Sequence, residues 1–147
     1  IWTSKYDYNT DGSKKKQTII AVIVLSLTIV FVAILFASSA KSSLISLTNE
    51  GIEVSGFFGD TYEWTIIEDV ELSDTLPTIK TRSNGSAYGS TLKGTFKTVE
   101  YGSTDLFIDK DINSLIIINT SNGVIIINTE DVQTTESLYN SIIERIK

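Results

Sequence analysis

Between Ile19 and Ala37 the chain reads IIAVIVLSLTIVFVAILFA, nineteen consecutive residues without a charge, just after Lys14-Lys15-Lys16. At ~1.5 Å rise per residue, a helix of this length crosses most of a ~30 Å hydrocarbon core. Three readings compete. A cleaved signal peptide would explain the basic flank and the small residues Ser38-Ser39-Ala40, but the run is longer than the usual ~7–15 residue apolar region. A buried core helix would show a polar stripe, whereas only Ser26 and Thr28 interrupt this one, and a helix apolar on every side suits lipid. The retained transmembrane helix is therefore the expectation. It divides the chain into a basic flank (1–16), a span (17–40) and a domain (42–147).

Charge follows the same division. Five lysines against Asp7 and Asp11 give +3 up to Lys41, and sixteen acids against seven bases give −9 from Ser42 onward. An acidic domain is repelled by phosphates on average, so nucleic acid is not an expected partner. Lys5, Lys14, Lys15 and Lys16 precede the span and only Lys41 follows closely. The positive-inside rule then puts the N-terminal flank in the cytosol and the domain outside.

Cysteine, histidine and methionine are all absent. Disulfides, thiolate nucleophiles, imidazole bases and ordinary zinc sites go with them, and neither a metal nor a cofactor is expected. Without a methionine, Ile1 reads as the start of a processed or truncated product.

From Ser42 onward, β-branched and aromatic residues are interrupted by turn residues at short intervals, the mark of a mainly β domain. Candidate strands are Leu44–Leu47, Ile52–Ser55, Thr61–Ile66, a short piece at Val70 and Leu72, Thr78–Arg82, Gly94–Val99 and Thr104–Ile108. The clearest pair is Leu115–Thr120 and Val124–Thr129, joined by Ser121-Asn122-Gly123. Asn-Gly between two strand-like runs is a strong hairpin signal, and near-continuous isoleucine predicts burial on both faces. The period then changes: Leu138, Ile142, Ile143 and Ile146 fall at helical spacing behind Thr134 or Thr135 as a cap. These elements predict a curled sheet or barrel of about seven or eight strands closed by one C-terminal amphipathic helix.

LSDTLPTIKTRSNG at Leu72–Gly85 and LKGTF at Leu92–Phe96, with GIEVSGFFGDTYEW before them and TTESLYNSII after them, make the domain resemble the bacterial pleckstrin-homology (PH) group found behind membrane helices. The resemblance runs from about Leu44 to Lys147. It implies a PH-like fold, a place at a bacterial cell membrane, and a binding role without catalysis, directed at a protein or peptide partner. Phosphoinositide-binding PH domains carry basic residues around the first hairpin loop. Here that loop is Thr48–Gly51, with Glu50 and no lysine or arginine, so a phosphoinositide is not the expected ligand.

Candidate binding residues lie in two places. Ser83–Gly94, SNGSAYGSTLKG, reads as a glycine-rich loop with Asn84, Tyr88 and Lys93 in it and Lys80 and Arg82 beside it. Such a loop can take an anionic group or peptide carboxylate, or a small ligand or glycan if the protein is an extracytoplasmic sensor. Phe57 and Phe58, between Gly56 and Gly59, read as an exposed turn, while Tyr62 and Trp64 read as core. Asp7–Gly12 and Asp109–Asn113 imitate the opening of a calcium loop, but Thr18 and Thr120 stand where a bidentate glutamate is required; both read as turns. Glu68, Asp69 and Glu71 read as exposed strand-end carboxylates.

Overall fold

The computed structural model describes residues 4–40 and 42–147, with side chains from 12–37 and 42–147. Two units emerge, divided after Ser38.

The first unit is one helix. α1 runs from Ser4 to Ala40, and its portion Gly12–Ala37 is long and apolar enough to cross a membrane. The two hydroxyls within the apolar run turn inward on the backbone. Ser26 donates to the Val22 carbonyl and Thr28 to the Val24 carbonyl, each at 2.8 Å. These bonds satisfy the polar groups inside the helix, so the surface between Ile19 and Ala37 remains apolar. The helix starts well before residue 17, and Asp7–Gly12 lies inside it. That stretch is therefore neither a turn nor a cation loop.

The second unit is mainly β, with nine strands where about seven or eight were expected. β1 (Ile45–Leu47), β2 (Gly51–Val54) and β3 (Thr61–Glu63) form a small antiparallel sheet. β4 (Ile67–Ser73), β5 (Ile79–Tyr88), β6 (Thr91–Thr98), β7 (Gly102–Asp109), β8 (Leu115–Thr120) and β9 (Gly123–Ile127) form a six-stranded sheet in the order β4-β8-β9-β7-β6-β5. β9 lies parallel to β7 and antiparallel to β8, so the sheet is not a simple meander. Trp64 to Ile66 is a 3-10 turn, not the end of a strand; Trp64 still packs half-buried against the core.

Chain connectivity forces the larger sheet to curl. β4 and β5 are its opposite edges, about 24 Å apart if flat, at ~4.8 Å per strand. Only six Cα steps separate Ser73 from Ile79, a reach of at most about 22 Å. The two strands also point the same way, so the link must run back along the sheet as well as across it. Curling resolves the conflict and encloses one face: Leu92, Phe96, Leu106, Ile108, Leu115, Ile117 and Ile126 form a core built from this sheet alone.

The opposite face is covered differently. Val70, Ile116, Ile118, Ile125, Ile127 and Phe107 meet Ile52, Val54 and Tyr62 of the small sheet and Ile142 of α2 (Val132–Ile146). Leu138, Tyr139 and Ile143 pack there too, whereas Ile146 is 37% exposed. The helix begins earlier than its threonines suggested. Asp131 caps it, its carboxylate accepting from the Thr134 N–H at 2.6 Å, while Thr135 is buried and bonds back to the Asp131 carbonyl at 2.8 Å.

Ser83–Gly94 is a second correction. It is most of a long hairpin, β5 turning into β6 through Gly89 and Ser90, and not an open loop. Its glycines serve close backbone approach: Gly85 and Gly94 face each other across the ladder, and a Cβ on Gly94 would strike the Asn84 carbonyl oxygen. Gly94 also sits at φ +116°, outside what L-residues adopt readily. Gly94→Ala is expected to destabilise the domain by at least about 2 kcal/mol. Gly89→Asn, at φ +58°, where asparagine is tolerated, should cost under about 1 kcal/mol. Urea unfolding of the detergent-solubilised chain checks both.

Candidate functional site

The hairpin β5–β6 differs in charge from everything around it. From Ile79 to Val99 the chain carries Lys80, Arg82, Lys93 and Lys97 and no acid; the remainder of the domain from Ser42 holds sixteen acids against three bases. β5 is the terminal strand of its sheet, and six of its ten residues in succession, from Ile79, are exposed.

Register decides which side chains share a face. Asn84 pairs with Thr95, Ser86 with Lys93, Tyr88 with Thr91, and Thr81 with Lys97. Residues alternate faces along a strand, so Asn84, Tyr88, Lys93, Thr95 and Lys97 lie together on the face that continues into Ser103, Asp105 and Phe107 of β7. Arg82 pairs with Phe96 and belongs to the opposite, concave face. Lys80 sits where the register slips between Ile79 and Thr81, and a second slip follows Arg82. Bulges of this kind bend an edge strand and re-aim its side chains. Burial at the foot of Lys93 lowers its ammonium below the ordinary lysine pKa.

Beside this face lies a cleft of about 270 Å³ at the seam between the two sheets, lined by Asp60 and Tyr62 of the small sheet's side and by Asp105, Asn122 and Ile125 of the large sheet's side. Asp105 joins cleft and hairpin. One carboxylate oxygen accepts from the Tyr62 hydroxyl at 2.8 Å and the other from the Thr95 hydroxyl at 2.8 Å. Burial pushes the Tyr62 phenol well above its ordinary range, and the Asp105 charge and hydrogen bond push it further. Tyr62 is core, as its strand position suggested, at 7% exposure. Asp105 and Thr95 were not singled out by sequence reasoning. The available signal was an aspartate set among apolar strand residues, a position that demands hydrogen-bond partners.

Phe57 and Phe58 stand apart, in the turn between β2 and β3. Phe58 packs against the core while Phe57 is 92% exposed. The five hairpin candidates thus share one element across two faces, and the two phenylalanines belong to another. Glu68, Asp69 and Glu71 are exposed on β4. Among the described residues no three potential metal-ligating side chains come together. Asp109–Asn113 is a turn, with the Asp109 carboxylate accepting from the Asp111 N–H at 2.9 Å and buried Asn128 bonded to the Asp109 backbone.

No protein-family model matches this chain, and no curated protein or solved structure matches it.

The Tyr62–Asp105 contact carries a pH signature. The folded phenol holds its proton more tightly than the unfolded one, so this stabilisation is intact below about pH 10 and lost as pH rises beyond it. Wild type should weaken above about pH 10 by up to ~1.4 kcal/mol per pH unit from this group. Tyr62→Phe should flatten that slope while lowering neutral-pH stability by about 1–3 kcal/mol. Denaturant melts at stepped pH check both.

Proposed function

We propose that the chain is a membrane-anchored, PH-like binding module, without catalysis, that holds a protein or peptide partner at a bacterial membrane. The partner offers an acidic, extended segment to the β5–β6 hairpin. One observation carries this reading: four cations and no acid occupy a sheet-terminal hairpin in a domain that is otherwise strongly acidic. An edge strand accepts an extended segment through main-chain hydrogen bonds, with alternate side chains setting specificity. Lys80 and Arg82 discourage two copies of β5 from pairing with each other and favour a strand of opposite charge.

Other features agree. Lys41-Ser42-Ser43 is too short a linker for long reach, so the partner works at the same membrane. The first hairpin turn does not favour a phosphoinositide: the Thr48 hydroxyl bonds the Gly51 carbonyl at 3.1 Å and accepts the Glu50 and Gly51 N–H groups, Thr48–Gly51 contributes no cation of its own, and the Arg145 guanidinium beside it is engaged by the Thr48 carbonyl at 3.3 Å and by the Trp64 ring. Flanking lysines favour a cytosolic N-terminal flank and an extracytoplasmic domain. Protease added to intact cells should then trim the domain; full protection would reverse the orientation.

The binding test uses the full chain in zwitterionic nanodiscs and a ten-residue peptide alternating glutamate and valine. The peptide should bind with an affinity that falls as salt rises, and its lysine-for-glutamate counterpart should not bind. Lys80→Glu with Arg82→Glu should weaken binding at least about tenfold at an unchanged unfolding midpoint. Equal binding by both peptides, or by the double variant, rules the reading out.

A further inference from the structure

Two large apolar side chains are exposed together at one corner of the small sheet. Phe57 is 92% exposed and Leu44 76% exposed. Both are held in place. The Ser55 N–H donates to the Leu44 carbonyl at 2.9 Å and the Ser55 hydroxyl donates to the same oxygen at 3.0 Å. This fixes Leu44 against the residue that begins the Ser55–Gly59 turn. The Gly59 N–H closes that turn on the Gly56 carbonyl at 3.1 Å. Inside it, the Phe57 ring stands edge-on to Phe58, centroids 5.0 Å apart and planes at 84°. Phe58 is anchored in the core, so it props Phe57 outward. A mobile turn would let the ring fold back; this one presents it.

Single exposed apolar residues are ordinary on protein surfaces. Position in the chain sets this pair apart. Leu44 is the seventh residue after Ala37, the last of the apolar run, so the backbone cannot carry it more than about 25 Å from that residue. Leu44 and Phe57 are the first two exposed large hydrophobic residues in the chain after the apolar run. Around Phe57 the nearest charged residues in the chain, Glu53 and Asp60, are acids, and around Leu44 they are Lys41 and Glu50, so the corner offers no run of cations to an anionic headgroup. An aromatic ring and a leucine without a run of cations beside them suit the headgroup–acyl boundary itself.

We infer that Leu44 and Phe57 insert into the lipid interface as a second, shallow membrane contact, fixing which corner of the domain faces the bilayer. This rests on α1 being a retained span. The contact is with lipid, not with a protein, and is independent of anionic lipid.

The absence of native cysteine allows single nitroxide labels in the full chain, reconstituted in liposomes of zwitterionic lipid. Val30→Cys reports the span, Phe57→Cys and Leu44→Cys the corner, and Asn122→Cys a reference in the β8–β9 turn. Accessibility to oxygen and to a water-soluble nickel complex is read for each. Expected are a deep label at 30, interfacial labels at 44 and 57, and a water-exposed label at 122. Adding Phe57→Asp, at a site too exposed to unfold the domain, should return the label at 44 to water. Adding anionic lipid should change neither corner label. A deep label at 30 with water-exposed labels at 44 and 57 overturns the inference alone. A water-exposed label at 30 overturns the reading of α1 and the inference with it. Labels at 44 and 57 that become shielded only in native membranes, and not in liposomes, assign the corner to a protein and also overturn it.

Discussion

Isoleucine-rich β8 and β9 must be kept from water on both faces, and the rest of the domain is arranged around that demand. Ile116 and Ile118 point one way, Leu115 and Ile117 the other, and all four are at most 3% exposed. A half-buried sheet cannot accommodate such strands. The domain meets the requirement twice by different means. On one face α2 and the small sheet supply Ile142, Ile52, Val54 and Tyr62. On the other the sheet curls over its own apolar residues. At about 1.5–3 kcal/mol for each large apolar side chain removed from water, both halves are needed to outweigh the entropy of ordering the chain.

Curling explains why the hairpin β5–β6 becomes the available surface. β6 contributes Leu92 and Phe96 to the enclosed core, while β5, one strand further out, contributes none and remains largely exposed. The outer face loses its apolar character in the same direction. Ile125 on β9 pairs with Asp105 on β7, which pairs with Thr95 on β6, which pairs with Asn84 on β5. Asp105 stands where this row passes from core to solvent. Its two hydroxyl donors, from Tyr62 and Thr95, engage both carboxylate oxygens, and its charge acts on Tyr62 and on the cleft beside it.

Local patterns made the apolar helix, the Asn-Gly hairpin and the mainly β character legible, because each rests on residues near one another in sequence. Tyr62 was readable as core for the same reason. The Ser83–Gly94 hairpin was not: Gly85, Gly89 and Gly94 spell a loop when read along the chain. Their purpose appears only across the ladder, where Gly85 meets Gly94. Asp105 depended on a partner in another sheet, 43 residues away, which no spacing rule reaches. The helix cap slipped from Thr134 to Asp131 because Thr135 was drawn inward to bond Thr129 and the Asp131 carbonyl. Arg82 and Lys93, neighbours in a basic list, were parted by register.

Edge strands and exposed rings are both liabilities in a soluble protein, and here each has a distinct physical restraint. β5 has two register slips and two cations, which penalise pairing with an identical strand. A partner that neutralises those cations removes the electrostatic part of the penalty. The Phe57 corner has no such cations; on the membrane contact inferred above, proximity to lipid would protect it, since an apolar side chain in the interface is unavailable for aggregation. The two surfaces therefore answer to different variables. On these proposals salt would act on the hairpin through screening and leave the corner untouched, because burial of apolar area depends on solvent exclusion and not on charge. On the proposed function and the inferred contact, a domain with both would be selective in what it binds and, through the corner, in the direction it faces while binding.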